Sequence, residues 1–250
     1  MRSWLAASAL ALSLGGCQFL MAVKGAPTTA PKVDPDLVQR GAILFNDAKL
    51  SRDGARACAT CHPGGGSDGK VYRDGELVPR GTAGGWRTLA LRGAWQTAPY
   101  LWDNSATTLT QAVDRMLAVE MRGAKLEGRD REALETYVLS LSPFDRGRVG
   151  ADGVPIEPVT LSARRGYEVA KKNCLGCHTP PAYVKLLRYD VGTGGPFAVP
   201  TLRGVSAGGP YGHDGRWPDL ESAIRAIATA KELALSDEEV AQLVDYLKLL

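Results

Sequence analysis

Two five-residue stretches constrain this chain more than any other feature: Cys58-Ala-Thr-Cys61-His62 and Cys174-Leu-Gly-Cys177-His178. Two thiols three positions apart can add across the two vinyl groups of one haem, and the histidine beside the second thiol then lies under the ring and offers a nitrogen to iron. Two other readings of the cysteines exist: one zinc site made by all four, or two redox disulfides. Neither accounts for a histidine directly after both pairs in a chain with three histidines. A thioredoxin-like pair would also call for a βαβ pattern, and the sequence has none. Two covalently attached haem c groups are the expectation.

The fifth cysteine belongs to a different problem. After Arg2, the apolar run Trp4–Leu14 ends in Leu14-Gly15-Gly16-Cys17. As a helix it would reach roughly 16 Å, too short to span a bilayer. Small residues before a cysteine resemble a bacterial lipobox, in which residues 1–16 are removed as a signal peptide and Cys17 is lipidated. An ordinary signal peptide with an incidental Cys17 is the alternative. Several acyl chains on Cys17 would make a stable membrane anchor. By the same resemblance Gln18 favours the outer membrane, giving a periplasm-facing or surface lipoprotein. Residues 17–35, with Pro27, Pro31 and Pro35, then read as a flexible tether. The cysteines are thereby all assigned, one to lipid and four to haem. A net charge of +3 with both signs interspersed excludes the basic face that nucleic-acid binding requires.

The body is a duplication. Each half opens with a helical pattern containing Arg-Gly (Arg40-Gly41; Arg165-Gly166), then runs through CxxCH to Leu-Arg-Gly (Leu91–Gly93; Leu202–Gly204). Pro-Tyr follows (Pro99-Tyr100; Pro210-Tyr211), then Asp103 or Asp214, then two helices. Thr108 to Gln111 and Ser236 to Glu239 have capping-box form. The closing helices carry i, i+3, i+4, i+7 stripes, Leu134/Tyr137/Val138/Leu141 and Val240/Leu243/Val244/Leu247. With no sustained period-two alternation, the expected class is all-α: two tandem domains, 36–142 and 161–250, joined by a linker over 143–160, each wrapped around one haem.

Both halves resemble class I-type cytochrome c domains, with Gly41, Phe45 and Tyr137 resembling that fold's crossing of first and last helices. The pair resembles the bacterial di-haem cytochrome c peroxidase family over nearly the whole body. Leu44-Phe45-Asn-Asp47, Leu50-Ser51 and Asp53-Gly54 leading into CATCH, then Trp102-Asp103, are similar to its first domain. Asp190-Val-Gly-Thr193, Pro200-Thr-Leu-Arg203 and Pro210-Tyr-Gly-His213-Asp-Gly215 are similar to its second. The resemblance implies Trp102 at the cofactor, redox partners such as small cytochromes or cupredoxins, and hydrogen peroxide as a candidate substrate. Of any calcium ion between the halves the sequence says nothing.

The sixth iron ligand decides between electron transfer and substrate chemistry. Met116 stands fourteen residues after Trp102, the spacing at which the family's second domain places its axial methionine after the matching histidine. Met116, ahead of Met121, is therefore the candidate ligand to haem 1, with core filling as the alternative. In half two the same spacing from His213 reaches Ile227, so haem 2 is bound by His213, by a weaker donor, or left open. Glu120-Met121 resembles the family's peroxidatic glutamate region at slightly short spacing. Glu120 is accordingly an acid–base candidate, a solvated helix face being the other expectation. Arg92 and Arg203 are candidates to pair with haem propionates. The expected function is electron transfer in the envelope, with peroxide reduction as the alternative.

Overall fold

The computed structural model describes residues 26–250, so the signal segment, Cys17 and Gln18 lie outside the described residues. Helix α1 (Pro35–Phe45) starts where Asp34 accepts the Asp36 amide at 2.9 Å and Pro35 fills a position whose N–H has no helical partner. It crosses α4 (Gly128–Ser140) at Gly41, where a Cβ would stand 2.0 Å from the Ala133 carbonyl oxygen. Phe45, almost fully buried, packs on Tyr137 with ring centroids 5.0 Å apart. The second half repeats this. Helix α5 (Leu161–Asn173), capped by Thr160, crosses α7 (Asp237–Leu247) at Gly166, whose Cβ would stand 1.8 Å from the Gln242 carbonyl, and Tyr167 packs on Tyr246 at 5.6 Å. Only glycine lets two backbones approach so closely, which is why Arg-Gly recurs.

Between these crossings the chain is less regular than the all-α expectation. Half one contains the turn α2 (Cys58–Cys61) and a three-stranded antiparallel sheet, β1 (Val71–Arg73), β2 (Glu76–Val78) and β3 (Trp86–Arg87), in the order β2-β1-β3. Half two has the pair β4 (Arg188–Tyr189) and β5 (Phe197–Ala198). The class is helix-rich with two small sheets. Strands of two or three residues are too short to show alternation, so the pattern could not reveal them.

Each half closes on two helices. Thr108 caps α3 (Leu109–Arg115), but Gln111 Oε1 accepts from Thr107 rather than returning to Thr108, so the expected box is one-sided. The chain continues from α3 as a π turn, Met116–Glu120. In half two Asp219 and Ser222 box the start of α6 (Leu220–Ala230), and Ser236 with Glu239 boxes α7 as expected. The buried side chains form two clusters. One is built on Phe45, Ala94, Leu134 and Val138, the other on Val149, Val169, Tyr183, Ile224, Leu243 and Tyr246. Each large side chain buried in this way contributes about 1.5–3 kcal/mol. The Leu-Arg-Gly motifs tie each half to the end of its last helix: Gly93 N–H donates to the Leu141 carbonyl at 2.9 Å, and Gly204 N–H to Leu250 at 3.0 Å. Among the described residues no helix is long and apolar enough to cross a membrane.

Candidate haem-binding sites

The two CxxCH segments are built alike. The His62 and His178 amides donate to the carbonyls of Cys58 and Cys174, both at 2.9 Å, which brings each histidine back beside its first cysteine. His62 Nδ1 lies 3.3 Å from the Gly66 carbonyl; His178 Nδ1 lies 3.2 Å from Tyr183 O and 3.1 Å from Pro200 O. A carbonyl can only accept, so each Nδ1 carries the proton and each Nε2 keeps its lone pair for a metal. Burial holds both histidines below their ordinary pKa, which keeps them neutral as a ligand must be.

The thiols fit haem attachment better than the alternatives. All four are free, and burial pushes Cys58 and Cys174 up to about 11, the reverse of the low-pKa thiolate of a redox CxxC. Among the described residues no three histidine, cysteine or acidic side chains converge to hold a bare metal ion, so the two cysteine pairs do not form a shared zinc site. The residues present fit two haem c groups, which Cys58, Cys61 and His62 and Cys174, Cys177 and His178 would hold.

Met116 and Ile227 each occupy the eighth position of the helical segment that begins at Leu109 or Leu220. Both are half-buried, but Met116 opens the π turn whereas Ile227 sits in unbroken α-helix. Met121 is buried and accepts the Arg52 amide at its carbonyl (3.0 Å), the setting of a core methionine. Glu120 is not on a solvated face. It is half-buried, with Oε2 accepting the Gly75 amide at 2.9 Å from the Asp74-Gly75 turn between β1 and β2. Burial raises its pKa, the Gly75 bond partly offsetting that, and its charge acts in turn on the Cys61 thiol. Tyr72, donating to Asp68 at 2.7 Å, is a further side chain beside Cys61.

Arg92 and Arg203 both face the linker. Arg92 lies over the Phe144 ring at 5.3 Å; Arg203 donates through Nε to Pro181 O (2.7 Å) and through Nη1 to Phe144 O (3.2 Å). Any propionate role falls to the donors that remain.

The halves meet in a reciprocal seam that sequence reading did not anticipate. Arg87 N–H donates to the His213 carbonyl at 2.6 Å, and Ala198 N–H donates to the Trp102 carbonyl at 2.7 Å. Arg87 and Ala198 hold equivalent places, five residues before Arg92 and Arg203, and Trp102 and His213 are likewise equivalent. The two segments thus exchange the same bond in both directions. The rings converge there: Trp86 on Phe197 at 5.9 Å, Trp86 on His213 at 5.8 Å, Trp102 on His213 at 6.4 Å, and Phe197 stacked on His213 at 3.8 Å. Trp102 is buried and donates Nε1 to Arg87 O at 2.7 Å. Asp214 is buried; burial pushes its carboxyl up, and the bonds and charge of Arg216 (2.7 Å) more than reverse this, leaving it below the ordinary value. His213 is thus placed at the seam, with Nδ1 buried and unbonded.

Comparison with known proteins matches this architecture. Residues 35–145 fit the sequence profile of the di-haem cytochrome c peroxidase family. The chain is 30% identical over 257 residues to the methylamine utilization protein MauG of Methylophilus methylotrophus, covering 78% of this chain and 74% of that protein. It is 25% identical to cytochrome c551 peroxidase of Nitrosomonas europaea, covering 98% and 91%. In fold it is similar to a chain of hydrazine synthase from Kuenenia stuttgartiensis, with a TM-score of 0.73, 22% identity and coverage of 100% and 99%. A family profile over residues 35–145 and a relative of this identity over this length lead to one conclusion: the chain belongs to the di-haem cytochrome c peroxidase family.

Proposed function

We propose that the chain is an electron-transfer protein of the bacterial envelope, built as two tandem cytochrome c-like domains, 36–142 and 161–250, each enclosing one haem c. The observation that carries this reading is the seam, where side chains from equivalent places in both halves touch and two backbone bonds fix their separation. Haem c supplies a one-electron ferric/ferrous couple. The chain's own residues do the rest. His62 and His178 are held in one tautomer by backbone carbonyls, Met116 offers a thioether to the first haem, and Trp102 with His213 fills the space between the halves with packed rings. Small cytochromes or cupredoxins suit such a protein as partners, and a lipidated Cys17 would hold it at the membrane.

One observation favours a second reading, peroxide reduction. Glu120 is a half-buried carboxylate beside Cys61 with a raised pKa, held by the Gly75 amide, and a general acid–base group needs such a setting. The two readings differ over Met116. An optical and EPR spectrum of the ferric protein separates them. Electron transfer expects a low-spin first haem with the weak far-red sulfur-to-iron band; an open first haem that turns over hydrogen peroxide with a reduced donor would overturn it. Cys17→Ser is expected to release the protein from the membrane fraction or leave it unprocessed. Fractionation like wild type removes the lipid anchor from this account.

A further inference from the structure

The seam is symmetric in its backbone and asymmetric in its charge. Where half two has Ala198, half one has Arg87, which lies half-buried between the halves. Its guanidinium sits over the Trp102 ring at 5.7 Å and gives Nη1 to the Gly208 carbonyl at 2.9 Å. Its Nε is buried and bonds nothing, so the Nε–Nη2 edge is left over. Among the described residues no carboxylate lies within ion-pair distance of it. Neighbouring acids are taken elsewhere: Asp214 by Arg216, and Asp68 by the Tyr72 hydroxyl and the Lys70 amide. A half-buried guanidinium whose Nε is desolvated and unpaired is unfavourable, and an anion beside it relieves that cost. The free edge is also the right shape. Two parallel N–H groups in one plane match the two oxygens of a carboxylate. A second buried nitrogen without a partner, His213 Nδ1, belongs to the same seam, on the residue whose carbonyl accepts the Arg87 amide.

We propose that Arg87, with His213 beside it, is a buried carboxylate-binding site at the seam, and that the carboxylate is a haem propionate. This rests on the haem reading above. Covalent attachment brings haem c carboxylates into the chain, and Arg87 stands four residues before Leu91, whose amide donates to the carbonyl of Gly65, three residues after His62, at 2.8 Å. A small carboxylate from solution is the other source of the same chemistry. The site would then set a redox property, because a fixed positive charge beside a haem disfavours its ferric form.

The test is a spectroelectrochemical titration of the holoprotein, with and without millimolar formate. Arg87→Met is expected to lower one midpoint potential by about 59 mV, a tenfold fall in the ferrous-to-ferric ratio at fixed applied potential. Arg87→Lys, which keeps the charge, is expected to retain most of the wild-type value and serves also if Arg87→Met folds poorly. If the occupant is a propionate, formate leaves wild type unmoved. If it comes from solution, formate shifts wild type and not Arg87→Met, and the propionate assignment is overturned. Equal shifts in Arg87→Met and Arg87→Lys, or a larger shift in Arg92→Met or Arg203→Met, overturn the proposal. A protein showing no haem couple at all would instead sink the haem reading.

Discussion

The two halves share an order of parts, and several matched positions within it carry different residues. Trp102 faces and corresponds to His213, while Arg87 corresponds to Ala198, Met116 to Ile227 and Leu101 to Gly212. None of these pairs belongs to the helix crossings, where Gly41 and Gly166 do the same work against the same kind of carbonyl. The crossing is the same in both halves, while these matched positions at the seam and on the helix that follows it carry different residues. A duplicated scaffold can thus hold two chemically distinct sites without two folds. The comparison can be broken at each matched pair.

The largest effects are all-or-none. Changing Cys58 and Cys61 to Ala, or Cys174 and Cys177 to Ala, should each leave about one haem per chain in a pyridine haemochrome assay, down from about two, because each pair serves its own group. Haem extracted freely by acid acetone would contradict covalent attachment. Met116→Ala should abolish the far-red sulfur band and Ile227→Met should create a second one, since the two residues stand at one helical position. A band that survives Met116→Ala and vanishes in Met121→Ala moves the ligand along the π turn and ends that equivalence.

Glu120 comes next. Were peroxide turnover found, Glu120→Gln should lower kcat by about 10²–10⁴-fold, the usual weight of a general acid–base group. Arg122→Ala would test whether the turn that holds Glu120 matters. Arg122 bonds the Asp74 carbonyl and Glu76, both at 2.9 Å, so its loss should loosen the Gly75 contact and cost less than Glu120→Gln. Equal loss in both variants would mean that Glu120 acts through structure alone.

These residues also show where sequence reasoning stopped. The closing stripes are legible because a helix repeats every 3.6 residues, whereas the crossing at Gly41, Phe45 and Tyr137 is legible only through the family resemblance. The CxxCH segments stand out in the sequence because haem attachment would fix both residue type and spacing. For Glu120 the sequence leaves two expectations open, and the half-buried contact with the Gly75 amide removes the solvated face, because the partner comes from a turn 45 residues away that no local pattern reveals. The seam was invisible because it is made by strands two residues long, Trp86–Arg87 and Phe197–Ala198, and a strand that short carries no period. Arg87 looked like any other arginine until its burial set it apart.

A smaller effect belongs to the crossings. Gly41→Ala and Gly166→Ala each place a Cβ inside the contact distance of a backbone carbonyl, so the helices must separate. The expected loss is about 1–3 kcal/mol each, measured by denaturant midpoints. Retention of wild-type stability by either variant would show that the crossing can shift at little cost.

The smallest effect tests the matched pair Leu101 and Gly212. Both adopt left-handed backbone, at φ 71° and 84°, just before Trp102 and His213. Leucine is uncommon there, and the conformation costs about 1–2 kcal/mol that glycine avoids. Half one tolerates it because of what stands opposite. Tyr100 N–H donates to the Ala106 carbonyl at 2.7 Å and Tyr211 N–H donates to the Trp217 carbonyl at 2.7 Å, so Ala106 and Trp217 are a further matched pair. A Cβ on Gly212 would meet Trp217 Cε3 at 3.2 Å, whereas Leu101 shares its loop with a small alanine. Each half therefore combines one large and one small residue, in opposite order. Leu101→Gly should change stability by no more than about 1 kcal/mol, relief of strain being opposed by a more flexible unfolded chain. Gly212→Leu should destabilise by more, through strain and collision together. In the Trp217→Ala background the collision is gone and only the strain remains, so a double-mutant cycle should show a favourable coupling of about 1 kcal/mol. Additivity within experimental error would mean that the glycine is required by its backbone alone, and that the exchange of large for small between the halves has no energetic content.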